Sequence, residues 1–453
     1  MPKKQTKDKK DLAYKPKSGW DTFKGRDKEI EAYNAEYMAF LSRVKTEREA
    51  VSYIEESACA NRDLHVFGNR GKAMALCRKG ASPMQDGIRI IIAHIDSPRL
   101  DLKANPLYED TDLAMLKTHY YGGIKKYQWL ARPLAIHGVV IREDATSVKI
   151  VIGEEDDEPC FTIEDLLPHL AGKTQYTKKI EDAFQAEKLN IIFGSRPDLK
   201  AKDDKVKAQI LSLLYEKYGI VEQDFVSADL EIVPAGSARE VGLDRSMIGA
   251  YGQDDRVCAW AAFAAVRDCS DLPYTSIVLL VDKEEIGSDG NTGAKSNFLE
   301  EVLWQLSKKF NEDIIPSRVL FRSRALSGDV NGAFDPDFPE VHEKTNAAKM
   351  GYGVCVTKFT GSRGKAGSSE AHAEYMGWIR SYLNRNNIPW QTGELGKVDE
   401  GGGGTVAKYL AEYGMDIVDM GPALLSMHAP FELSSKVDTF STYLAYRSFM
   451  EER

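Results

Sequence analysis

The sequence lacks most of the features that assign a chain to a class at once. Six cysteines (Cys59, Cys77, Cys160, Cys258, Cys269 and Cys355) are scattered through 453 residues with no CxxC pair. Neither a disulfide framework nor a thiolate metal site is expected from them, and a reducing cytoplasm is the expected setting. No run of 18 apolar residues occurs, so no membrane span and no membrane partner is expected. The start, MPKKQTKDKK, is lysine-rich and has no apolar segment of the signal-peptide kind. Residues 1–18 are expected to be a flexible solvated tail. There is no basic excess either. The net charge is −9, which argues against a general nucleic-acid partner. No internal repeat is evident.

What the chain does have is enough apolar material for a sizeable core, with 43% hydrophobic residues, and enough length for two or three domains. A helical stretch is expected along EIEAYNAEYMAFLSRVKTEREAVSYIEESACA, where apolar residues recur at helical spacing. IRIIIAH and TSIVLLVD read as buried strands. DDRVCAWAAFAAV, FLEEVLWQLSKKF and TFSTYLAYRSFMEE read as helices, and DIVDMGPALLSMH as a late strand and loop. This alternation predicts an α/β fold with a mostly parallel or mixed sheet sandwiched by helices. Between residues 107 and 236 the texture changes to strand-like segments such as RPLAIHGVVIRED and ATSVKIVIG, an acidic loop EEDDE and the charged helix KVKAQILSLLYEKYG. The expected organisation is one α/β domain from 1–106 plus 237–453, with 107–236 as an inserted β-rich domain.

Chemistry-bearing residues stand just beyond the apolar runs. AHIDSPRL supplies His94 and Asp96, YGQDDRV supplies Asp254 and Asp255, VDKEEIG supplies Glu284 and Glu285, LSGDVNG supplies Asp329, and LLSMHAPFE supplies His428. Parallel strands would gather these at one sheet edge, where function is commonly placed. Two imidazoles among several carboxylates would repel themselves apart without a cation. With no thiolate in the set, zinc or another borderline divalent ion fits the donors, and their number suits a pair of ions. His94 and Asp96, two apart in extended chain, share a face, so Asp96 can accept from the second imidazole N–H. Glu284 and Glu285, adjacent at a strand end, are expected to point to opposite sides and so to divide labour. Taken one at a time, each residue has an ordinary structural role open to it, whether helix cap, turn or buried hydrogen-bonded histidine.

AHIDSPRL, VPAGSAREVGLDRSMIGAYGQDDRV, DKEEIGS, SGDV and MHAPFE, in this order, resemble the M18 family of metallo-aminopeptidases, whose best-known member is aspartyl aminopeptidase. The chain looks nearest to the bacterial aminopeptidase 1 branch. The resemblance spans nearly all of the chain after the tail. It implies a zinc-peptidase-like catalytic domain. It implies two divalent metal ions held by His94, Asp254, Glu285, Asp329 and His428, with Asp254 bridging. Zinc is the expected metal, with cobalt or manganese as alternatives. Glu284 would be the general acid/base and Asp96 would orient His94. The Asp254–Asp255 bond would be a cis peptide. The inserted domain would mediate dimerisation, dimers would build a homo-oligomer up to a dodecamer, and His169 in LLPHLAG would reach a neighbouring subunit's site.

The activity implied is removal of the N-terminal residue from peptide substrates. A di-metal amidohydrolase or deacylase acting on small N-acyl molecules is the alternative; a non-catalytic scaffold would require a missing base or ligand. Two departures bear on substrate contacts. Gly332 and Asp335, in SGDVNGAFDPDF, stand where the family carries histidines, and EGGGGTVAK is unusually glycine-rich. Arg363 and Lys365 are candidates for a cationic side-chain pocket, and the residue preference stays open between acidic and neutral.

Overall fold

The computed structural model describes residues 12–59 and 61–453. Its largest sheet has eight strands, in the order His65–Asn69, Ala73–Arg78, Ser276–Val281, Arg89–His94, Arg324–Ser327, Asp416–Gly421, Val354–Thr357 and Trp390–Thr392. The four central strands run parallel. Antiparallel pairings occur on both sides of them, so the sheet is mixed with a parallel centre.

The central strands are apolar through their middles, IIIA in one and IVLLV in its neighbour, because both faces are covered. Ile91, Ala93, Val278 and Leu280 enter a core that includes residues of the helices Asp27–Arg43, Gln253–Asp268 and Lys436–Glu451. Ile90, Ile92, Ile277 and Leu279 point the other way, into a core with the helix Phe298–Phe310. Alternation of neighbouring side chains thus feeds two layers from one run.

A second sheet has six strands, in the order Ser147–Ile152, Leu134–Ile141, Ala228–Pro234, Arg99–Asp110, Leu113–Tyr121 and Ile191–Gly194. All its pairings are antiparallel. It has a core of its own around Leu100, Trp129, Ile136 and Ile232, with Ile210 and Leu214 of the helix Lys205–Tyr218 packed against it. The expected boundary between 106 and 107 falls inside the strand Arg99–Asp110, at the irregularity that shifts its register between Leu102 and Leu107.

Buried polar contacts tie the second sheet to the helix Glu47–Ala58. Arg99 lies 3.3 Å from Glu47 and 3.3 Å from Glu231. His137 has Nδ1 2.9 Å from Glu49 Oε1 and Nε2 2.9 Å from Glu154 Oε1.

Two expectations change in detail. The first helical stretch is two helices, Asp27–Arg43 and Glu47–Ala58. Val44 between them is extended, and Thr46 Oγ1 accepts from the Glu49 N–H at 3.3 Å, a cap that starts a new helix. Residues 1–11 of the expected tail lie outside the described residues. Residues 12–17 are exposed, and Tyr14 stacks on Trp390 with ring centroids 5.8 Å apart. Among the described residues all six cysteines are free thiols, and no helix is long and apolar enough to cross a membrane.

Candidate active site

The parallel centre of the large sheet delivers side chains to one edge. His94 is the last residue of its strand and pairs with Val281, the last residue of the neighbouring strand. Beyond Val281 the chain turns sharply, with Lys283 at φ 70° leading into a 3-10 turn over Glu284–Ile286. Ser327 ends the next strand, and Gly328 and Asp329 follow it. A side chain at Gly328 has no room, because its Cβ would lie 2.8 Å from the Tyr446 hydroxyl and 3.0 Å from Cys258 Cβ. Asp254 enters from the start of the helix Gln253–Asp268, where its φ and ψ of −80° and 110° are not helical. The Asp254–Asp255 peptide bond is cis. His428 comes from the loop before the strand Glu432–Ser435, at φ 63°.

These residues converge. Asp254 sits between the two histidines, with Oδ1 3.2 Å from His94 Nε2 and Oδ2 3.1 Å from His428 Nε2. His428 Nε2 is also 3.4 Å from Glu285 Oε1. Ligand-type atoms lie within 4.8 Å of one another in three groups: His94, Asp254 and Asp329; Asp254, Glu285 and His428; and His94, Glu284 and Glu285. The first two groups share Asp254.

One premise read from the sequence is corrected. Glu284 and Glu285 are not in extended chain, so they do not alternate. The turn that Lys283 opens brings both carboxylates toward His94. Asp96 also differs from expectation. The shorter contact to His94 Nδ1 is from its main-chain oxygen, at 3.1 Å, with its carboxylate at 3.4 Å. The carboxylate itself accepts the N–H groups of Glu284 and Glu285, at 3.1 and 3.2 Å, and so ties the glutamate turn to the end of the His94 strand.

The electrostatics of the cluster are those of an anionic site. Burial raises Glu285 well above the ordinary carboxyl value, and the Asp254 charge adds to it. Burial and the Asp255 and Asp254 charges do the same to Asp329. Glu284 is raised by burial first, against the pull of His94. Asp254 moves the other way. Burial opposes it, but hydrogen bonds from His428 and His94 hold it well below the usual range. Burial would lower His428, yet hydrogen bonding to Asp254 and the Glu285 charge push it up to about 10. A cluster with this excess of carboxylates over imidazoles is one that cations relieve.

The residues fit a metal. Among the described residues the buried Glu285 Oε1 makes no well-formed hydrogen bond, and the nitrogen and oxygen donors without thiolate match zinc and its neighbours.

The cluster forms one wall of a cavity of about 470 Å³. Arg363, Lys365 and the glycines 401–404 line it as well. His169 is exposed and does not line this cavity within the chain. Asp335 does not line it either, and its N–H donates to His342 Nε2 at 3.0 Å. Glu432 was not singled out in the sequence. It is buried and accepts the N–H groups of His428 at 2.6 Å, Gln253 at 2.5 Å and Asp254 at 3.1 Å. No signal in the sequence marked it.

Residues 40–450 match the family described as “Aminopeptidase I zinc metalloprotease (M18)”. A Thermotoga maritima protein named “Probable M18 family aminopeptidase 1” is 49% identical over 444 residues, covering 94% of this chain and 97% of that one. The crystal structure of an M18 family aminopeptidase from Thermotoga maritima superposes with a TM-score of 0.94 at 47% identity, covering 97% of this chain and all of that one. A more distant structure, the mApe1 dodecamer of S. cerevisiae, shares the fold with a TM-score of 0.74 at 20% identity, over 93% of this chain and 97% of that one.

Proposed function

This chain belongs to the M18 family of zinc metalloproteases and is an aminopeptidase, and from that premise we propose that Glu284 moves the proton when the N-terminal residue of a peptide is cut off. Two divalent cations, zinc first among them, would be held by His94, Asp254 and Asp329 on one side and by Asp254, Glu285 and His428 on the other. Bound there, they supply Lewis-acid polarisation of the scissile carbonyl and lower the pKa of the attacking water.

The rest falls to the chain. Asp254 fixes the spacing between the two histidines. The Glu284 carboxylate takes a proton from the attacking water and returns it to the leaving amine nitrogen as the C–N bond breaks. Burial, which raises Glu284, moves it toward the neutral range where such a shuttle works best. The carboxylate-rich end of the cavity receives the free α-ammonium of the peptide, which limits cutting to chain ends. The observation that carries this reading is Asp254 lying between His94 and His428 with one oxygen at 3.2 and one at 3.1 Å.

The test is a pair of variants. Glu284→Gln keeps its bound metal and loses roughly 10²–10⁴-fold in turnover. Glu285→Ala loses metal. Near-normal turnover in Glu284→Gln removes it from the role. An aminoacyl substrate and its N-acylated counterpart, run side by side, separate this activity from that of a deacylase, which would accept the blocked amine.

The six-stranded sheet is the proposed inserted dimerisation domain, and a homo-oligomer built from dimers is the proposed assembly, as in the dodecamer named for the yeast relative. His169, exposed on that part of the chain, would then approach a neighbouring copy. The exposed thiols of Cys59 and Cys160 suit a reducing compartment, and the cytoplasm is the proposed location.

A further inference from the structure

The residues that support the cluster from behind do not all belong to the sheet that carries it. The strand Leu113–Tyr121 lies in the six-stranded sheet, and its end runs past the cluster. Three successive residues there each touch it. The Tyr121 hydroxyl donates to Asp96 Oδ2 at 2.8 Å, the oxygen that also takes the Glu285 N–H. Gly122, at φ 72°, lies against Glu285 so closely that an added Cβ would stand 3.2 Å from Glu285 Cβ. The Gly123 carbonyl oxygen is 2.9 Å from His428 Nδ1, which leaves Nε2 facing Asp254 and Glu285.

The segment is itself held on the side of the second sheet. Tyr121 is buried, and its ring lies 3.9 Å from the Arg99 guanidinium, which Glu47 and Glu231 flank. None of the three residues lines the cavity, so none is placed to touch substrate.

We propose that Tyr121–Gly123 is a positioning element through which the six-stranded sheet sets the geometry of Glu284, Glu285 and His428. The chain of restraint is short. Tyr121 holds Asp96, Asp96 holds the two glutamate N–H groups, Gly122 sets how near Glu285 can come, and Gly123 orients the His428 ring. Removing the hydroxyl leaves Asp96 Oδ2 with one donor instead of two, and the glutamate turn loses a lateral tie. This inference rests on the proposed metal-binding role of Glu285 and His428. It goes beyond that role in assigning their support to a sheet other than their own.

The test uses the full chain stripped of metal. Zinc affinity is read by competition with a chromophoric chelator, kcat and KM are read on one aminoacyl substrate at saturating zinc, and the metal-free melting temperature is read alongside. In Tyr121→Phe, zinc binding weakens and kcat falls by about tenfold, the low end for residues that orient metal ligands, while KM is unchanged. Gly122→Ala shifts zinc affinity and kcat in the same direction by pressing on Glu285, and it carries the test should Tyr121→Phe fail to fold. Tyr120→Phe, at an exposed neighbour, leaves all three readings alone. Wild-type zinc affinity and kcat in Tyr121→Phe and Gly122→Ala overturn the inference, as does a lower melting temperature with unaltered zinc affinity. A wild-type chain that takes up no zinc and ignores chelators overturns the metal reading itself, and this inference falls with it.

Discussion

Glu432 receives three backbone N–H groups from two separate segments, those of His428, Gln253 and Asp254. It is fully buried, and burial with the Asp254 charge pushes it up to about 8 against the opposing pull of those N–H groups. A carboxylate or carboxylic acid oxygen can accept where an amide nitrogen cannot. Oε1 serves His428 and Oε2 serves the other two, so Glu432→Gln must turn an NH₂ toward at least one donor whichever way it lies. That mismatch costs about 1–3 kcal/mol and loosens two proposed ligands together. Zinc affinity should fall about 10–100-fold, and a chelator competition with a melting curve checks both effects. Glu432 was not legible in the sequence, because nothing in MHAPFELSS distinguishes a residue that binds three amides from an acidic residue beside a strand. His94, Glu285, Asp329 and His428 were legible for a physical reason: an apolar run that stops on a ligand-type residue marks the end of a buried strand or the loop beyond it. The orientation of Glu284 and Glu285 was not, since a left-handed Lys283 cannot be read from a sequence that carries no glycine there.

Elements meet at a joint that pH should weaken from both directions. His137, on the strand Leu134–Ile141, lies between Glu49 of the helix Glu47–Ala58 and Glu154. Lys45 and Lys149 are the other charges acting on the joint. Burial opposes protonation of His137, but hydrogen bonds to Glu154 and Glu49 raise it above its usual value. Burial likewise opposes ionisation of Glu49, yet its hydrogen bond with His137 lowers it. The raised histidine contributes fully below its unfolded value of about 6.5 and fades as pH climbs through its folded value. The lowered glutamate contributes above its unfolded value and fades in acid. His137→Gln should therefore cost about 1–3 kcal/mol near pH 6 and clearly less near pH 9. Urea midpoints of wild type and variant at the two pH values read the difference, and an equal cost at both would refute the charged histidine.

The same strand carries Gly138 at φ 137°, where an added Cβ would fall 1.9 Å from the Asp229 carbonyl oxygen. The neighbouring strand Ala228–Pro234 therefore has to move aside in Gly138→Ala. A loss of about 1–3 kcal/mol, seen as a lowered melting temperature, is expected. Element types were legible here because KVKAQILSLLYEKYG and IRIIIAH have the periods of a helix and a buried strand. The limit of the second sheet was not. Arg99–Asp110 is already paired within the second sheet at Arg99 and Leu100, shortly after the large-sheet strand that ends at His94, and no change of composition marks the passage from one sheet to the other.

At the scale of the whole molecule, three strand ends of the large sheet, the start of the helix Gln253–Asp268 and the loop that carries His428 bring one anionic cluster together from five distant stretches of chain. Tying residues 94, 254, 285, 329 and 428 to a common ligand stabilises only the folded state, because the unfolded chain cannot present them together. Removing that ligand should therefore show in the stability of the entire chain and not merely in turnover. At a free zinc concentration 100 times the dissociation constant, the linkage contributes about 2.7 kcal/mol. In a chain of this size that moves the melting temperature by a few degrees. A chelator should lower it by this amount, and zinc should restore it in a concentration-dependent way. Asp254→Asn should erase the response to zinc while leaving the chain folded, since it also removes one of the crowded carboxylates. A chelated wild type that melts unchanged, and does not respond to added zinc, would mean that imidazole protons alone balance the carboxylates and that the cluster is held without a cation.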